Sequence, residues 1–292
     1  MSTAMKSVLL RFMPALALAV SLAHAAAPDR GSPRSTATLL LKLRSPSLDA
    51  RENAFLAIYG PIEMRTNQSE SGAFNGGAPV SPEIRAALID LLRREAARQA
   101  KLDQQAPTQG GVAGHSEATY GEEESEYWAK LTEAVGHFHD DPAALDVQLN
   151  PTVLAEGVNQ PFVIARYGDA IVPRLLKLYA SPDYVSSKPA LLNIFTYMLR
   201  HKLIADDANK VALRALFFPM TYSKNNFDRL TGAEALACFN DAAAVRRLHD
   251  MARSDDFRSE PRPGSVFYPV RDMAEHSLQG CNASWGAPET PY

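Results

Sequence analysis

The sequence predicts an all-α protein, an irregular α-solenoid of stacked antiparallel helix pairs. Alanine and leucine are frequent and glycine is sparse, a composition that favours helix over strand. Apolar residues recur at spacings of three, four and seven, and no convincing run alternates with a period of two. The clearest segment, residues 169–199, has the pattern of two antiparallel helices joined by a short turn. Two helices alone cannot cover so wide an apolar face. It must therefore pack against similar pairs on both sides.

This central segment has a turn signal in the middle and an apolar face in each half. The turn is Ser181-Pro182-Asp183. Ser187 is a candidate N-cap for the second helix, with Pro189 in its first turn. The apolar positions are Ile171, Val172, Leu175, Leu178 and Tyr179 in the first half, and Leu191, Ile194, Phe195 and Met198 in the second.

Residues 1–25 have the pattern of a secretory signal peptide. Lys6 and Arg11 supply a basic start, residues 13–22 are mostly apolar, and residues 23–25 fit a small-x-small cleavage site. The apolar run is too short for a stable bilayer anchor, although an uncleaved anchor is the alternative, and no later stretch approaches the roughly 20 apolar residues that a membrane helix needs. We therefore expect an exported protein, periplasmic or secreted from a bacterial envelope, with no transmembrane segment in the mature chain.

The charge of the mature chain argues against nucleic acid as a partner. The formal net charge of the chain is −3, and removal of the signal peptide takes away two basic residues and no acidic ones, which leaves −5. The 292 residues minus 25 leave 267, enough for a large core. A mildly acidic chain without basic clusters in its sequence attracts neither phosphate backbones nor anionic membranes.

Cys238 and Cys281 are the only cysteines. In an oxidising compartment an even pair is expected to be bonded. Closing a loop of about 40 residues would stabilise the fold by a few kcal/mol. The alternative is two unpaired thiols, one buried and one exposed. The predicted disulfide would hold the C-terminal tail, residues 281–292, to the helix that carries Cys238.

The other helices follow from the same spacing and from their end signals. A first helix over 35–44 ends at a Ser-Pro turn, and a second helix over 48–59 is closed by Gly60 and Pro61. Residues 66–79 and 102–119 lack an apolar period and are predicted to be flexible insertions in a domain that spans 26–280. Further helices are predicted over 81–101, 122–138, 142–147, 151–157, 160–166, 205–217, 225–239, 242–253 and 270–278.

The helix pair over residues 35–60 resembles a HEAT repeat. In that family the second helix carries a Val-Arg pair, a small residue three positions after the arginine and an aliphatic residue seven after it. Arg51, Ala54 and Ile58 fit this spacing, while Ala50 replaces the valine. The small residue allows neighbouring helices to approach closely, and the aliphatic one fills the shared core.

The same spacing returns near the C-terminus, so the resemblance covers 35–60 and 225–280, and 168–200 by hairpin geometry alone. It implies a solenoid that holds a protein or peptide on its concave face, with no cofactor. We therefore expect a non-enzymatic scaffold or protein-binding module of the cell envelope. The matching positions are Val270, Arg271, Ala274 and Leu278 in full, and more weakly Arg229, Gly232 and Leu236, with Asp228 in place of valine.

His137, His139, Asp140 and Asp141 are the only dense cluster of possible metal ligands. Zinc sites use histidine and aspartate, so a metal-dependent hydrolase or other enzyme is the alternative function. Residues two apart on a helix point about 200° from each other, so the two histidines can chelate together only if the helix ends between them. A plain helix stop and start, with Asp141 as N-cap before Pro142, is the stronger interpretation.

Other polar groups are weaker candidates. The acidic residues 122–126 suit the positive end of a helix dipole, with a cationic partner as the lesser alternative. His249-Asp250 and Glu275-His276 are neighbours on helices, where adjacent side chains diverge. No Gly-x-Ser-x-Gly elbow and no phosphate-binding glycine loop occurs in the sequence.

The segment from Pro261 to Pro269 interrupts the last predicted repeat and carries Phe267 and Tyr268. Insertions of solenoids often lie on the binding face, where aromatic side chains can anchor a partner. Terminal repeats must also shield an exposed core, and capping of the stack is the favoured interpretation.

Overall fold

The computed structural model describes residues 36–66, 80–105, 122–156, 160–239, 241–262 and 265–281. Within these residues the chain folds into thirteen α-helices, two short 3-10 helices and one two-stranded hairpin. The predominance of helix confirms the all-α prediction. The predicted signal peptide, most of the two predicted insertions and the tail after residue 281 lie outside the described residues.

The helices follow one another with short connections. The 3-10 helices, Asp169–Ile171 and Pro182–Tyr184, lie before and after α8. The α-helices are α1 (Thr36–Leu43), α2 (Leu48–Thr66), α3 (Pro82–Gln105), α4 (Glu122–Gly136), α5 (Pro142–Gln148), α6 (Pro151–Glu156), α7 (Gln160–Ala165), α8 (Val172–Ala180), α9 (Lys188–Arg200), α10 (Asp207–Met220), α11 (Asn226–Leu236), α12 (Ala242–Ser254) and α13 (Pro269–Ser277).

Two predicted helix ends are wrong. The second helix does not stop at Gly60 and Pro61 but continues to Thr66, and the third continues past residue 101 to Gln105. Glycine and proline lower helix propensity without forbidding helix, because a proline removes one backbone donor while the flanking turns keep theirs. Residue 66 of the first predicted insertion and residues 102–105 of the second are therefore helical.

Carboxylate and amide side chains cap the N-termini of several helices. Asp141 Oδ1 accepts a hydrogen bond from the backbone N–H of Ala143 at 2.9 Å, which confirms the predicted cap of α5. Ser187 occupies the cap position of α9, but its Oγ donates to the carbonyl of Pro151 at 2.7 Å and does not cap the helix. It therefore joins α9 to α6. The same capping role is played by Asp206, Asn225 and Asp241 for α10, α11 and α12.

A β-hairpin lies where the sequence predicted a loop without strands. Strand β1 (Ser259–Arg262) pairs antiparallel with β2 (Ser265–Phe267). Strands of four and three residues are too short to show a period of two, so the pattern could not predict them. Tyr268 follows the hairpin and lies under the guanidinium of Arg271, 4.1 Å from its ring centroid.

Helix α9 is the most enclosed helix of the central segment. It contacts α6, α7, α8 and α11. The predicted apolar face is buried, and so are residues on its other sides, as expected of a helix in a core. The buried residues are Leu191, Leu192, Ile194, Phe195, Thr196, Met198 and Leu199.

The hydrophobic core follows the chain as three successive clusters. The first draws its buried residues from 39–153, the second from 149–235 and the third from 233–274. Adjacent clusters overlap only at their ends. The main helix contacts join near neighbours in sequence, such as α1 with α2 and α3, or α11 with α10, α12 and α13.

Helices α10 and α11 meet at Gly232. A β carbon there would lie 2.9 Å from Thr221 Cγ2, 3.0 Å from the Thr221 backbone nitrogen and 3.1 Å from the Phe217 carbonyl oxygen. Because two of these contacts are with backbone atoms, a larger residue cannot be accommodated by a rotamer change. Gly232 occupies the small-residue position of the weaker HEAT-like match.

The predicted cysteine pair lies at disulfide-bonding distance. The Cα atoms of Cys238 and Cys281 are 4.5 Å apart, and the two residues are separated by 43 positions in sequence. Cys238 follows the end of α11 and does not lie on it, while Cys281 follows α13. The bond closes the last two helices, α12 and α13, and the hairpin into one covalent loop.

We predict that replacing Cys238 and Cys281 together by alanine lowers the free energy of unfolding by about 2–4 kcal/mol, because the open unfolded chain gains loop entropy. Urea unfolding of the chain without residues 1–25, with and without dithiothreitol, measures this loss. The reductant should destabilise the wild-type protein and leave the double variant unchanged. A double variant as stable as the oxidised wild-type protein would contradict the prediction.

Candidate functional site

Three of the four side chains in the predicted metal-ligand cluster at residues 137–141 are bound to other parts of the protein. His137 Nδ1 lies 3.0 Å from Arg166 Nη1. Both oxygens of Asp140 accept hydrogen bonds from Arg85 Nη1, at 3.0 and 3.1 Å, and Asp141 caps α5. Across the residues that the structure describes, no group of three or more histidine, cysteine or acidic side chains has the geometry to hold a metal ion.

Both histidines of this cluster lie beyond the end of α4, which stops at Gly136. His139 is exposed, whereas His137 is partly buried. Burial, and next the positive charge of Arg166, lower the pKa of His137 to about 4. Nδ1 accepts from the guanidinium, which requires a neutral ring. His137 therefore joins the end of α4 to the residue after α7.

We predict that His137 makes the protein less stable in acid. Its pKa is lower in the folded than in the unfolded chain, so its contribution is complete above about pH 6.5 and is lost as the pH falls towards 4. The loss should be about 1 kcal/mol, since the ring is only partly buried.

Urea unfolding at pH 7 and pH 4.5 checks this difference. His137→Gln should lose less stability between the two values than the wild-type protein does. His249→Gln, at an exposed histidine, should lose as much as the wild-type protein. An identical loss in His137→Gln and wild type would refute the assignment.

The two adjacent acid–histidine pairs do not form dyads. Asp250 accepts a hydrogen bond from Arg253 Nη2 at 2.7 Å, and His249 is exposed beside it. Among the hydrogen bonds of the described residues, none joins Glu275 to His276. The acidic residues 122–126 do begin α4, but their side chains are outside the described part of the chain.

A basic pocket opens to solvent where the turn between α1 and α2 meets α3. Its volume is about 270 Å³. We call it the arginine pocket, because four of its residues are arginines and only one is acidic. The lining residues are Arg44, Ser45, Pro46, Arg51, Arg94, Glu95 and Arg98.

A nearly buried ion pair forms the inner side of the arginine pocket. Arg51 Nε donates to Glu95 Oε1 at 2.6 Å, and the two side chains are 8% and 2% exposed. Arg98 Nε donates to the other oxygen of Glu95 at 2.8 Å. Arg51 Nη1 also donates to the carbonyls of Ser45 and Pro46, at 3.0 and 2.8 Å. Because every partner is charged or a backbone carbonyl, the guanidinium of Arg51 is held in one orientation.

The outer side of the arginine pocket is also tied to the backbone. Arg94 Nη2 donates to the carbonyl of Leu43 at 2.9 Å, and its Nε donates to Asp90 at 3.1 Å. Arg44 is exposed at the end of α1. Counting Asp90 with Glu95, four arginines face two carboxylates, so the pocket keeps a local positive charge in a chain of net negative charge.

The bonds of Arg51 recur at Arg229, the equivalent position of the weaker HEAT-like match. Arg229 Nη1 donates to the carbonyls of Ser223 and Lys224, at 3.0 and 3.1 Å. These carbonyls stand six and five residues before the arginine, as Ser45 and Pro46 do before Arg51. Its Nε donates to the carboxylate of Asp255 at 2.7 Å, as that of Arg51 does to Glu95.

The chain has no match among profiles of known protein families, curated proteins or solved structures. The described helices include none that is both long and apolar enough to cross a bilayer.

The arginine pocket was missed by the sequence reasoning, which found no basic cluster. Arg94 and Arg98 are four apart on α3 and share a face of it. Arg51 stood out only as a HEAT-like position. No local signal shows that the first turn of α2 packs against α3, since 44 residues separate Arg51 from Glu95.

We predict that Glu95→Gln lowers the free energy of unfolding by about 3–5 kcal/mol, because it leaves a nearly buried guanidinium without its counter-ion. Asp90→Asn is the matched control: it breaks half-exposed ion pairs on the same helix and should cost less than about 1 kcal/mol. The midpoints of guanidinium chloride unfolding distinguish the two variants. Equal midpoints for Glu95→Gln and wild type would show that the pair contributes nothing.

Proposed function

We propose that this chain is an exported, non-enzymatic binding module, an α-solenoid resembling HEAT repeats, which holds a protein or peptide partner in the cell envelope. The observation that carries the proposal is the repeated arginine arrangement of Arg51 and Arg229. Each lies in the first turn of a helix, donates to two carbonyls before that helix and binds a carboxylate from a later part of the chain.

The other positions of the HEAT-like pattern have the burial that stacking requires. Ala54 and Ala274 are fully buried, and Gly232 lies in the close contact of α10 with α11. Ile58 and Leu236 are in the core, while Leu278 packs at the edge of the third cluster. A core that follows the chain in three clusters is also what a row of nearest-neighbour units would produce.

An enzymatic function has less support. The alternative hydrolase rested on His137, His139, Asp140 and Asp141, and three of these four side chains are engaged by Arg166, Arg85 and the N-terminus of α5. These contacts support a structural role for His137, Asp140 and Asp141. Binding of a partner requires no such cluster.

Two observations support the proposal that the chain is exported. The first 25 residues carry the signal-peptide pattern, and the two cysteines lie at disulfide-bonding distance, as an oxidising compartment favours. A periplasmic or secreted location fits both.

We expect a crosslinking pull-down of the mature chain from its native envelope extract to yield one reproducible protein partner, identified by mass spectrometry. Crosslinks should map to one face of the helices. Excess unlabelled protein should abolish the capture, and the purified partner should bind the purified chain. No partner that meets these criteria in repeated extracts would contradict the proposed function.

A further inference from the structure

We propose that the arginine pocket binds a carboxylate of an acidic peptide segment. The inference rests on the proposed function, because it names the chemistry by which the module recognises its partner. Three features of the pocket support it: its charge, its anchored arginines and its size.

The charge of the pocket is only partly neutralised from within. Both oxygens of Glu95 are occupied by Arg51 and Arg98, and Asp90 pairs with Arg94. Within the described part of the chain, Arg44 has no ion pair and no side-chain hydrogen bond. A guanidinium carries five N–H donors, and the described bonds of Arg94 engage only Nε and Nη2. Donors for an incoming anion therefore remain at Arg44 and at Arg94.

Two of the lining arginines, Arg51 and Arg94, are held in place before any ligand arrives. Arg51 is anchored by Glu95 and by two carbonyls, and Arg94 by Asp90 and the carbonyl of Leu43. Side chains fixed in this way lose little conformational entropy on binding. Arginine also matches carboxylate geometry with paired N–H···O bonds, which a lysine ammonium does not. Arg51 and Arg94 thus form a preorganised part of the pocket for a planar anion.

The size of the pocket and the charge of the whole chain select the kind of anion. A volume of about 270 Å³ suits one acidic side chain or a chain terminus, with the rest of a peptide lying outside. A polyanion such as nucleic acid would meet the net negative charge of the remaining surface. A short peptide segment with a few carboxylates places far fewer negative charges near that surface.

The test is fluorescence anisotropy of the full exported chain with a fluorescein-labelled, end-blocked peptide that carries four glutamates. The matched probe has glutamines at those positions. We expect the glutamate peptide to bind at least tenfold more tightly, and more weakly as salt is raised. Indistinguishable binding of the two peptides would overturn the proposal.

Two single substitutions locate the site. Arg44→Gln removes an exposed lining arginine that supports no other described residue, and we expect it to weaken glutamate-peptide binding about tenfold. Arg246→Gln makes the same charge change at an exposed position on α12, which belongs to the third core cluster. It should change binding less than twofold. Equal effects of the two substitutions would show that only net charge matters and would refute the pocket.

Inorganic phosphate is the competing occupant. If phosphate displaces no peptide at millimolar concentration, the carboxylate assignment stands. If phosphate binds the wild-type protein, loses affinity in Arg44→Gln and the glutamate peptide does not bind, the assignment is wrong. Unchanged capture of an envelope partner by Arg44→Gln would refute this inference and leave the proposed function intact.

Discussion

In the described part of the chain, the apolar faces of these helices are covered mainly by neighbouring helices. Helix α9 is the clearest case, since its buried residues lie on more than one side and are enclosed by α6, α7, α8 and α11. No helix pair of this kind is stable alone, because most helical stability comes from packing an apolar face. The same requirement explains why the core passes from cluster to cluster along the chain.

Arginine provides the polar connections of this packing. Arg51 and Arg229 each join the turn before their own helix to a carboxylate on a later segment, in nearly buried ion pairs. Arg271 Nε adds a bond to the backbone carbonyl of Asp255, so this one residue is bound by two arginines. A buried carboxylate needs such partners to remain charged. These bonds specify which turn meets which helix, whereas apolar packing alone tolerates alternatives.

The arginine pocket combines this structural role with a surface that can bind. Arg51 and Glu95 stabilise the contact of α2 with α3, and the arginines around them face solvent over the same contact. A chain with a net charge of −3 thereby carries a local positive site. Overall charge describes long-range attraction and solubility. It does not describe a pocket in which four like charges are brought together by folding.

The sequence by itself determined the helices and some of their ends. The spacing of Leu175, Leu191 and Phe195 predicted α8 and α9, because an apolar face at helical period is a local property. Asp141 was predictable as a cap for the same reason, since its partner is two residues away. The pairing of two lone cysteines also needed only a count.

Only the tertiary structure decided the features that join distant segments. Ser187 donates a hydrogen bond to the carbonyl of Pro151, 36 residues earlier. It therefore does not cap α9, although its position predicted a cap. The extension of α2 through Pro61 and the short hairpin at β1 and β2 have no strong local signal. The arginine pocket depends on contacts between Arg51 and Glu95, 44 residues apart. Periodicity identifies which face of a helix is buried, but the partner of that face is chosen by packing across the whole chain.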